Sequence, residues 1–162
     1  MHQDMHAVVI GAYNKGANAQ QDTSFSGNKV VLETATGNIA GVLVIPAGKS
    51  SMPVALIIAG SGPTDKDGNN PVMKNNSLKL LAGELLKQGI ASLRYDKRGV
   101  GESAAALKSE AAIRFDDYVD DASGWVRLLR KDKRFNKIIV IGHSEGSLIG
   151  MMAGKGRINL FR

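Results

Sequence analysis

The feature that most constrains this chain is residues 137–152, which read KIIVIGHSEGSLIGMM. After the lysine, the first residues are apolar and β-branched, a pattern typical of a strand buried on both faces. The residues after Gly146 are small and apolar and predict a helix. A turn of five residues between such elements is tight, and Gly142 and Gly146 allow the close backbone approach that it needs. The pattern therefore predicts that Ser144 lies exposed in a strained turn at the N-terminus of a helix.

A strand, then G-x-S-x-G, then a helix is the context of a nucleophile elbow, in which the serine hydroxyl attacks a carbonyl group. The partial positive charge at the helix N-terminus favours an oxyanion formed beside that hydroxyl. Short motifs also occur by chance, so a glycine-rich turn with an incidental serine is the alternative. We interpret Ser144 as the candidate nucleophile.

The rest of the chain alternates strands with helices. A hairpin is predicted from 29–33 and 39–45, buried-type strands over 53–59 and 90–94, and helices over 77–88, 104–113 and 116–131. Such alternation predicts an α/β fold, with a mostly parallel sheet, helices on both faces and an N-terminal β-hairpin. Functional loops then belong at the carboxyl ends of the strands, which are followed by 60–70, 95–103 and the Ser144 turn.

The loop 60–70, GSGPTDKDGNN, is rich in glycine and side-chain oxygens. A calcium loop does not fit, because the glycine comes too early and no glutamate closes the loop. Gly60-Ser61-Gly62 instead favours backbone N–H groups that face a ligand at the end of the strand, as in an oxyanion hole. A plain glycine-rich connection is the alternative.

Three motifs together resemble those of one superfamily. They are Gly60-Ser61-Gly62-Pro63, then D-K-R-G-V-G-E-S over 96–103, then G-H-S-E-G over 142–146. From about residue 29 to about residue 154, the chain resembles the N-terminal half of an α/β-hydrolase, close to the bacterial serine esterases and acyl hydrolases. The implied fold is an incomplete α/β-hydrolase fold, and the implied activity is hydrolysis of a small-molecule carboxylic ester.

The resemblance also implies roles for individual residues. Ser144 would be the nucleophile, and the backbone N–H groups of Glu145 and of Ser61 or Gly62 would form the oxyanion hole. Asp96 and Arg98 would brace the loops, although a solvated turn is an equally good interpretation of these two residues. No cofactor and no metal are expected.

The chain departs from the superfamily after the elbow. There the triad runs serine, acid, histidine, but the residues after Ser144 contain neither histidine nor aspartate. His143 is interpreted as a packing residue, because adjacent side chains diverge in the elbow. His2 and His6 would reach Ser144 only if the leader folded back across the strand ends. The triad acid and histidine are thus missing from this chain.

The domain organisation is predicted as a loosely ordered leader over 1–27 and a partial hydrolase domain over 28–162. Strand 137–141 would then have an open edge, exposed to pairing with another chain. The chain would be a fragment, a prematurely terminated product, or a domain completed by a homodimer or by a missing C-terminal half. A non-catalytic remnant that associates through this strand is the alternative function. Monomeric behaviour in sedimentation would contradict association.

Composition narrows the remaining classes of function. The chain of 162 residues has no cysteine, and its net charge of +6 is spread without basic runs or interleaved aromatics, so no nucleic-acid partner is expected. No stretch is long and apolar enough to predict a membrane span. Residues 7–10 are too short an apolar core for a signal peptide and follow no lysine or arginine. The cellular compartment is not determined; without a recognisable signal peptide, the sequence as given is expected to be cytoplasmic.

Overall fold

The computed structural model describes residues 5–10, as backbone, and residues 25–155. Within these residues the chain forms six strands, three α-helices and two short 3-10 helices. The strands are β1 (Met5–Ile10), β2 (Asn28–Thr34), β3 (Gly37–Val44), β4 (Met52–Ile58), β5 (Ala91–Tyr95) and β6 (Phe135–His143). The helices are α1 (Ser77–Lys87), α2 (Phe115–Lys131) and α3 (Glu145–Lys155), with 3-10 helices at Gly101–Ala106 and Glu110–Ala112.

The strands form one mixed sheet in the order β1-β6-β4-β5-β3-β2. The pairings β1–β6, β6–β4 and β4–β5 are parallel, whereas β5–β3 and the β2–β3 hairpin are antiparallel. The predicted α/β class and the N-terminal hairpin are therefore confirmed, and the sheet is mixed. Because β4, β5 and β6 are parallel, their carboxyl ends lie at one edge of the sheet, where ligands bind in open α/β sheets.

Alternate residues of β4 pack on opposite faces of the sheet. Val54, Leu56 and Ile58 belong to a core that includes side chains of α2 and α3. Ala55 and Ile57, with Ala59 directly after the strand, belong to a second core with Leu78 and Ala82 of α1. Both sets are buried, which explains why β4 reads as a continuous apolar run and not as an alternating one. Helices thus cover both faces, as the alternation of elements predicts.

The segment after β5 differs from its predicted structure. The helix expected over 104–113 is replaced by the two 3-10 helices. The backbone N–H of Ser103 donates to the carbonyl of Val100, three residues back, and the Ser103 hydroxyl is engaged with Asp96 and Ala40 of other segments. These long-range bonds outweigh a weak helical pattern.

The expectation that the 137–141 strand has an open edge is wrong. Residues 5–10 form β1, which pairs in parallel with β6 from Met5 opposite Ile138 to Ile10 opposite His143. Because β4 pairs on the other side, both edges of β6 are occupied within the chain. Part of the predicted loose leader is therefore a strand, while residues 1–4 and 11–24 lie outside the described residues.

Candidate active site

The elbow at Ser144 has the strained geometry that the motif predicts. Ser144 is exposed between the end of β6 and the start of α3, and its φ of 52° lies in the left-handed region. That region is unfavourable for a residue with a Cβ atom, by about 1–2 kcal/mol. The surrounding packing holds Ser144 in a conformation that an isolated chain would avoid.

The two flanking glycines leave no room for a side chain. A Cβ atom at Gly142 would overlap the backbone of Gly146 and Ser147, and one at Gly146 would overlap the carbonyl oxygen of Ile58 and lie 2.6 Å from that of Ala59. The start of α3 thus packs directly against the ends of β4 and β6. This close packing is what forces the turn to be tight.

The strain at Ser144 gives a prediction about stability. Ser144→Gly is expected to be more stable than Ser144→Ala by about 1 kcal/mol, because glycine adopts positive φ without strain. Glycine also loses more chain entropy on folding, which offsets part of this advantage. At Ser147, inside α3, the order should reverse, because alanine is the better helix former by about 1 kcal/mol. Urea denaturation of the four variants measures both differences. Equal stability of the two Ser144 variants would mean that the turn is not strained.

The loop after β4 lies against the elbow. A Cβ atom at Gly60 would be 3.4 Å from the Ser144 Cβ and 2.9 Å from Nδ1 of His143. Among residues 25–155, the backbone N–H groups of Ser61 and Gly62 donate no hydrogen bond. The N–H of Glu145 is at the first position of α3, where the helix itself offers no acceptor. The three N–H groups predicted for the oxyanion hole are thus unengaged within the described chain.

A general base for Ser144 is not found among the described side chains, which are those of residues 25–109 and 111–154, and no hydrogen bond from them reaches its hydroxyl. The His143 ring lies beside Gly60. His6 in β1 is level with Ile139, four positions before His143, which places its backbone about 13 Å down the strand from the elbow. His2 lies outside the described residues.

Asp96 joins two loops at the carboxyl edge of the sheet. Its buried carboxylate accepts hydrogen bonds from the backbone N–H and the ammonium group of Lys66, at 2.8 and 2.9 Å, and from the N–H of Glu102 at 3.0 Å. Its carbonyl oxygen accepts from the Ser103 hydroxyl at 2.9 Å. These contacts tie the loop after β4 to the loop after β5.

Arg98 forms a bidentate ion pair with Asp121 of α2. The two N–H···O distances are 2.7 and 2.6 Å, and the Asp121 side chain is only 2% exposed. Arg98 also donates to the hydroxyl of Thr36 in the hairpin turn and, at 3.5 Å, to the carbonyl of Ala106. The guanidinium group therefore links the β5 loop, the hairpin and α2. Asp121 was not singled out from the sequence, although it lies on the apolar face of α2, three residues after Tyr118 and four before Trp125.

Lys97, like Asp121, has no role predicted from the sequence. Its side chain is 3% exposed, and its ammonium group donates to the carbonyl of Gly60. It also lies 3.5 Å from the Glu145 carboxylate and 5.4 Å from the centre of the Tyr118 ring. Burial lowers the pKa of the Lys97 ammonium, and the negative charge of Glu145 opposes that shift. A lysine between Asp96 and Arg98 in a loop carries no sequence signal of burial.

The described residues contain no group of three or more histidine, cysteine, aspartate or glutamate side chains arranged to hold a metal ion. Among their helices, none has the length and hydropathy that crossing a bilayer requires.

Comparison with solved structures defines the fold. The chain is similar to an α/β serine hydrolase without a lid from Xanthomonas campestris, with a TM-score of 0.60 and 20% identity, covering 81% of this chain and 56% of that one. It is also similar to Est1E from Butyrivibrio proteoclasticus, with a TM-score of 0.59 and 19% identity, over 80% of this chain and 45% of that one. The fold is that of the α/β-hydrolases, represented over part of its length.

The family follows from sequence. Residues 74–159, more than half of the chain, match the family described as serine aminopeptidase, S33, and the chain belongs to this family. It is also 31% identical over 113 residues to the esterase EstD of Thermotoga maritima, a match that covers 68% of this chain. The chain spans about a quarter of the length of EstD, since the match covers 26% of that protein.

Proposed function

We propose that this chain is the nucleophile-bearing part of a serine hydrolase that transfers the acyl group of a small carboxylic ester to Ser144. The observation that carries the proposal is the strained, exposed serine at the strand–helix turn, enclosed by two glycines that no other residue could replace without displacing backbone. Its similarity to EstD favours an ester as the substrate.

In the proposed reaction, the Ser144 oxygen forms a bond to the carbonyl carbon of the ester. The carbonyl oxygen becomes an oxyanion that accepts hydrogen bonds from the N–H groups of Glu145 and of Ser61 or Gly62. When the intermediate collapses, the bond to the leaving alkoxide breaks, and that oxygen receives the proton lost by the serine. Water then hydrolyses the acyl-serine ester and releases the acid.

The proton requires a base that residues 25–155 do not supply. We infer that a histidine from a partner, or from protein sequence other than these 162 residues, completes the triad with an acid. Without that base, only the smaller rate enhancement from the oxyanion hole and binding remains, about 10³–10⁴-fold over water. The chain by itself is therefore expected to react slowly.

A fluorophosphonate probe tests the proposal directly. The purified chain is expected to be labelled slowly at Ser144, as located by peptide mass spectrometry, and Ser144→Ala is expected to be unlabelled. Ser147→Ala is a matched control, because its hydroxyl donates to the carbonyl of Gly142 within the same turn and has no role in the chemistry. Equal labelling of wild type and Ser144→Ala would remove the proposal.

The alternative, a non-catalytic chain that associates through residues 137–141, has less support. That strand already pairs on both sides within the chain, so a partner would have to displace β1.

A further inference from the structure

We propose that Lys97 is a positioning residue that holds both N–H donors of the oxyanion hole through a single ammonium group. The inference rests on the proposed function, since it takes Ser61 and Glu145 as those donors. The ammonium group donates to the carbonyl of Gly60, the residue before Ser61, and is paired with the carboxylate of Glu145 itself. Lys97 thereby connects the loop after β4 to the first residue of α3.

The first connection acts through a single peptide plane. The carbonyl of Gly60 and the N–H of Ser61 belong to the same trans peptide unit, so they point in opposite directions. A hydrogen bond that fixes the carbonyl therefore also fixes the direction of the N–H. Gly62 beyond it has a φ of 77° and a Cβ position in open space. Thr64 donates to the carbonyls of Ser61 and Gly62, which belong to the next two peptide planes, so among the described residues the Gly60–Ser61 plane has its hydrogen bond from Lys97.

The same hydrogen bond strengthens the donor. A cation at the carbonyl oxygen withdraws electron density from the peptide unit, and hydrogen bonds in a chain polarise one another. The Ser61 N–H then becomes a better donor to a developing oxyanion. Because the Lys97 side chain is 3% exposed, water competes little for this contact.

The second connection reaches the elbow. The Glu145 carboxylate lies 3.5 Å from the ammonium group, with its side chain 32% exposed. This pair connects the first residue of α3 to the loop after β5, and the ammonium group lies 5.4 Å from the centre of the Tyr118 ring of α2. A buried ammonium needs partners of this kind, and both of its polar partners here belong to the proposed oxyanion hole or the residue next to it.

The test is the substitution Lys97→Met, which keeps the length of the side chain and removes the donor. We expect the maximal rate of fluorophosphonate labelling to fall by about 10- to 100-fold, somewhat less than the 10²–10³-fold lost when an oxyanion donor itself is removed. The half-saturating probe concentration should change little. The backbone amide resonances of Ser61 and Glu145 should shift in the same variant, and Lys97→Arg should restore part of the rate.

Lys29→Met is the matched control, because Lys29 forms an exposed ion pair with Glu102 and contacts neither donor. If Lys97→Met changes neither the two amide resonances nor the labelling rate, the inference is wrong. If the near-ultraviolet circular dichroism of Trp125 shows that the variant does not fold, the inference is tested by a measurement on the wild-type chain. There the inference requires a scalar coupling across the hydrogen bond from Lys97 Nζ to the Gly60 carbonyl carbon, and its absence would overturn it.

The two proposals fail separately. A wild-type chain that is never labelled at Ser144 contradicts the hydrolase, while the amide resonances still report on Lys97. Labelling that is Ser144-dependent but indifferent to Lys97→Met leaves the hydrolase standing and removes the positioning role.

Discussion

Arg98→Met is expected to lower the free energy of unfolding by about 3–5 kcal/mol, because it leaves the Asp121 carboxylate buried without its partner. The carboxylate is 2% exposed and receives both of its short ion-pair hydrogen bonds from Arg98. The substitution also removes the donors to Thr36 and Ala106, so the hairpin and the β5 loop lose a shared contact. Urea denaturation followed by circular dichroism measures the loss.

The chain offers a matched control for this prediction. Arg134 and Asp132 also form a pair with a shortest distance of 2.6 Å, but the Arg134 side chain is 51% exposed. Exposed pairs contribute roughly 0–1 kcal/mol, so Arg134→Met should change stability little. The double variant Arg98→Met/Asp121→Leu should regain much of the loss, because no charge is left buried. Similar losses for Arg98→Met and Arg134→Met would show that burial of the pair does not govern its contribution.

Gly142→Ala is expected to be the most disruptive change within the elbow, with a loss of about 3 kcal/mol or more. The added methyl group would overlap main-chain atoms of Gly146 and Ser147, and backbone at a helix start cannot move aside as a flexible side chain does. Either α3 separates from β6 or the turn at Ser144 changes its shape. In the second case the protein stays folded, but Ser144-dependent labelling is lost.

Gly48→Ala is the control for Gly142→Ala, because it replaces a glycine at a position where the added methyl group overlaps no other atom. Gly48 has a φ of 73° and no atom within 4 Å of its Cβ position, so alanine there meets only backbone strain of about 1–2 kcal/mol. Labelling at Ser144 should be unaffected. If Gly142→Ala is no more destabilising than Gly48→Ala and is labelled normally, the close packing at the elbow does not determine its shape.

The elements with strong local signals were predicted well. The apolar run predicted over 137–141 lies within β6, and the helices predicted over 77–88 and 116–131 became α1 and α2. The turn at Ser144 belongs to this group, because only glycine permits the close approach on either side of it. Its proposed chemistry, and the oxyanion roles of Ser61, Gly62 and Glu145, stay predictions.

Two segments with weak local patterns were predicted wrongly: the helix over 104–113 and the leader. The region after Gly101 has helical propensity but no clear apolar face, and contacts of Ser103 with Asp96 and Ala40 produced 3-10 turns instead. The leader has only a short apolar run. The strand that it pairs with lies about 130 residues later in the chain, since Met5 is opposite Ile138. No pattern inside either segment specifies that partner.

By itself, the sequence determined the alternation of strands and helices, the presence of helices on both faces of the sheet, and the tight turn at Ser144. Each of these depends on local hydrophobic periodicity or on the glycines beside the turn. Only the tertiary structure decided which charges are buried together. Lys97 and Gly60 are 37 positions apart, and Arg98 and Asp121 are 23 apart. A lysine or arginine in a loop is normally solvated, and its partner is set by how the loops converge at the carboxyl edge of the sheet. That convergence depends on the whole fold, so the residues that flank Lys97 and Arg98 in the sequence do not predict their partners.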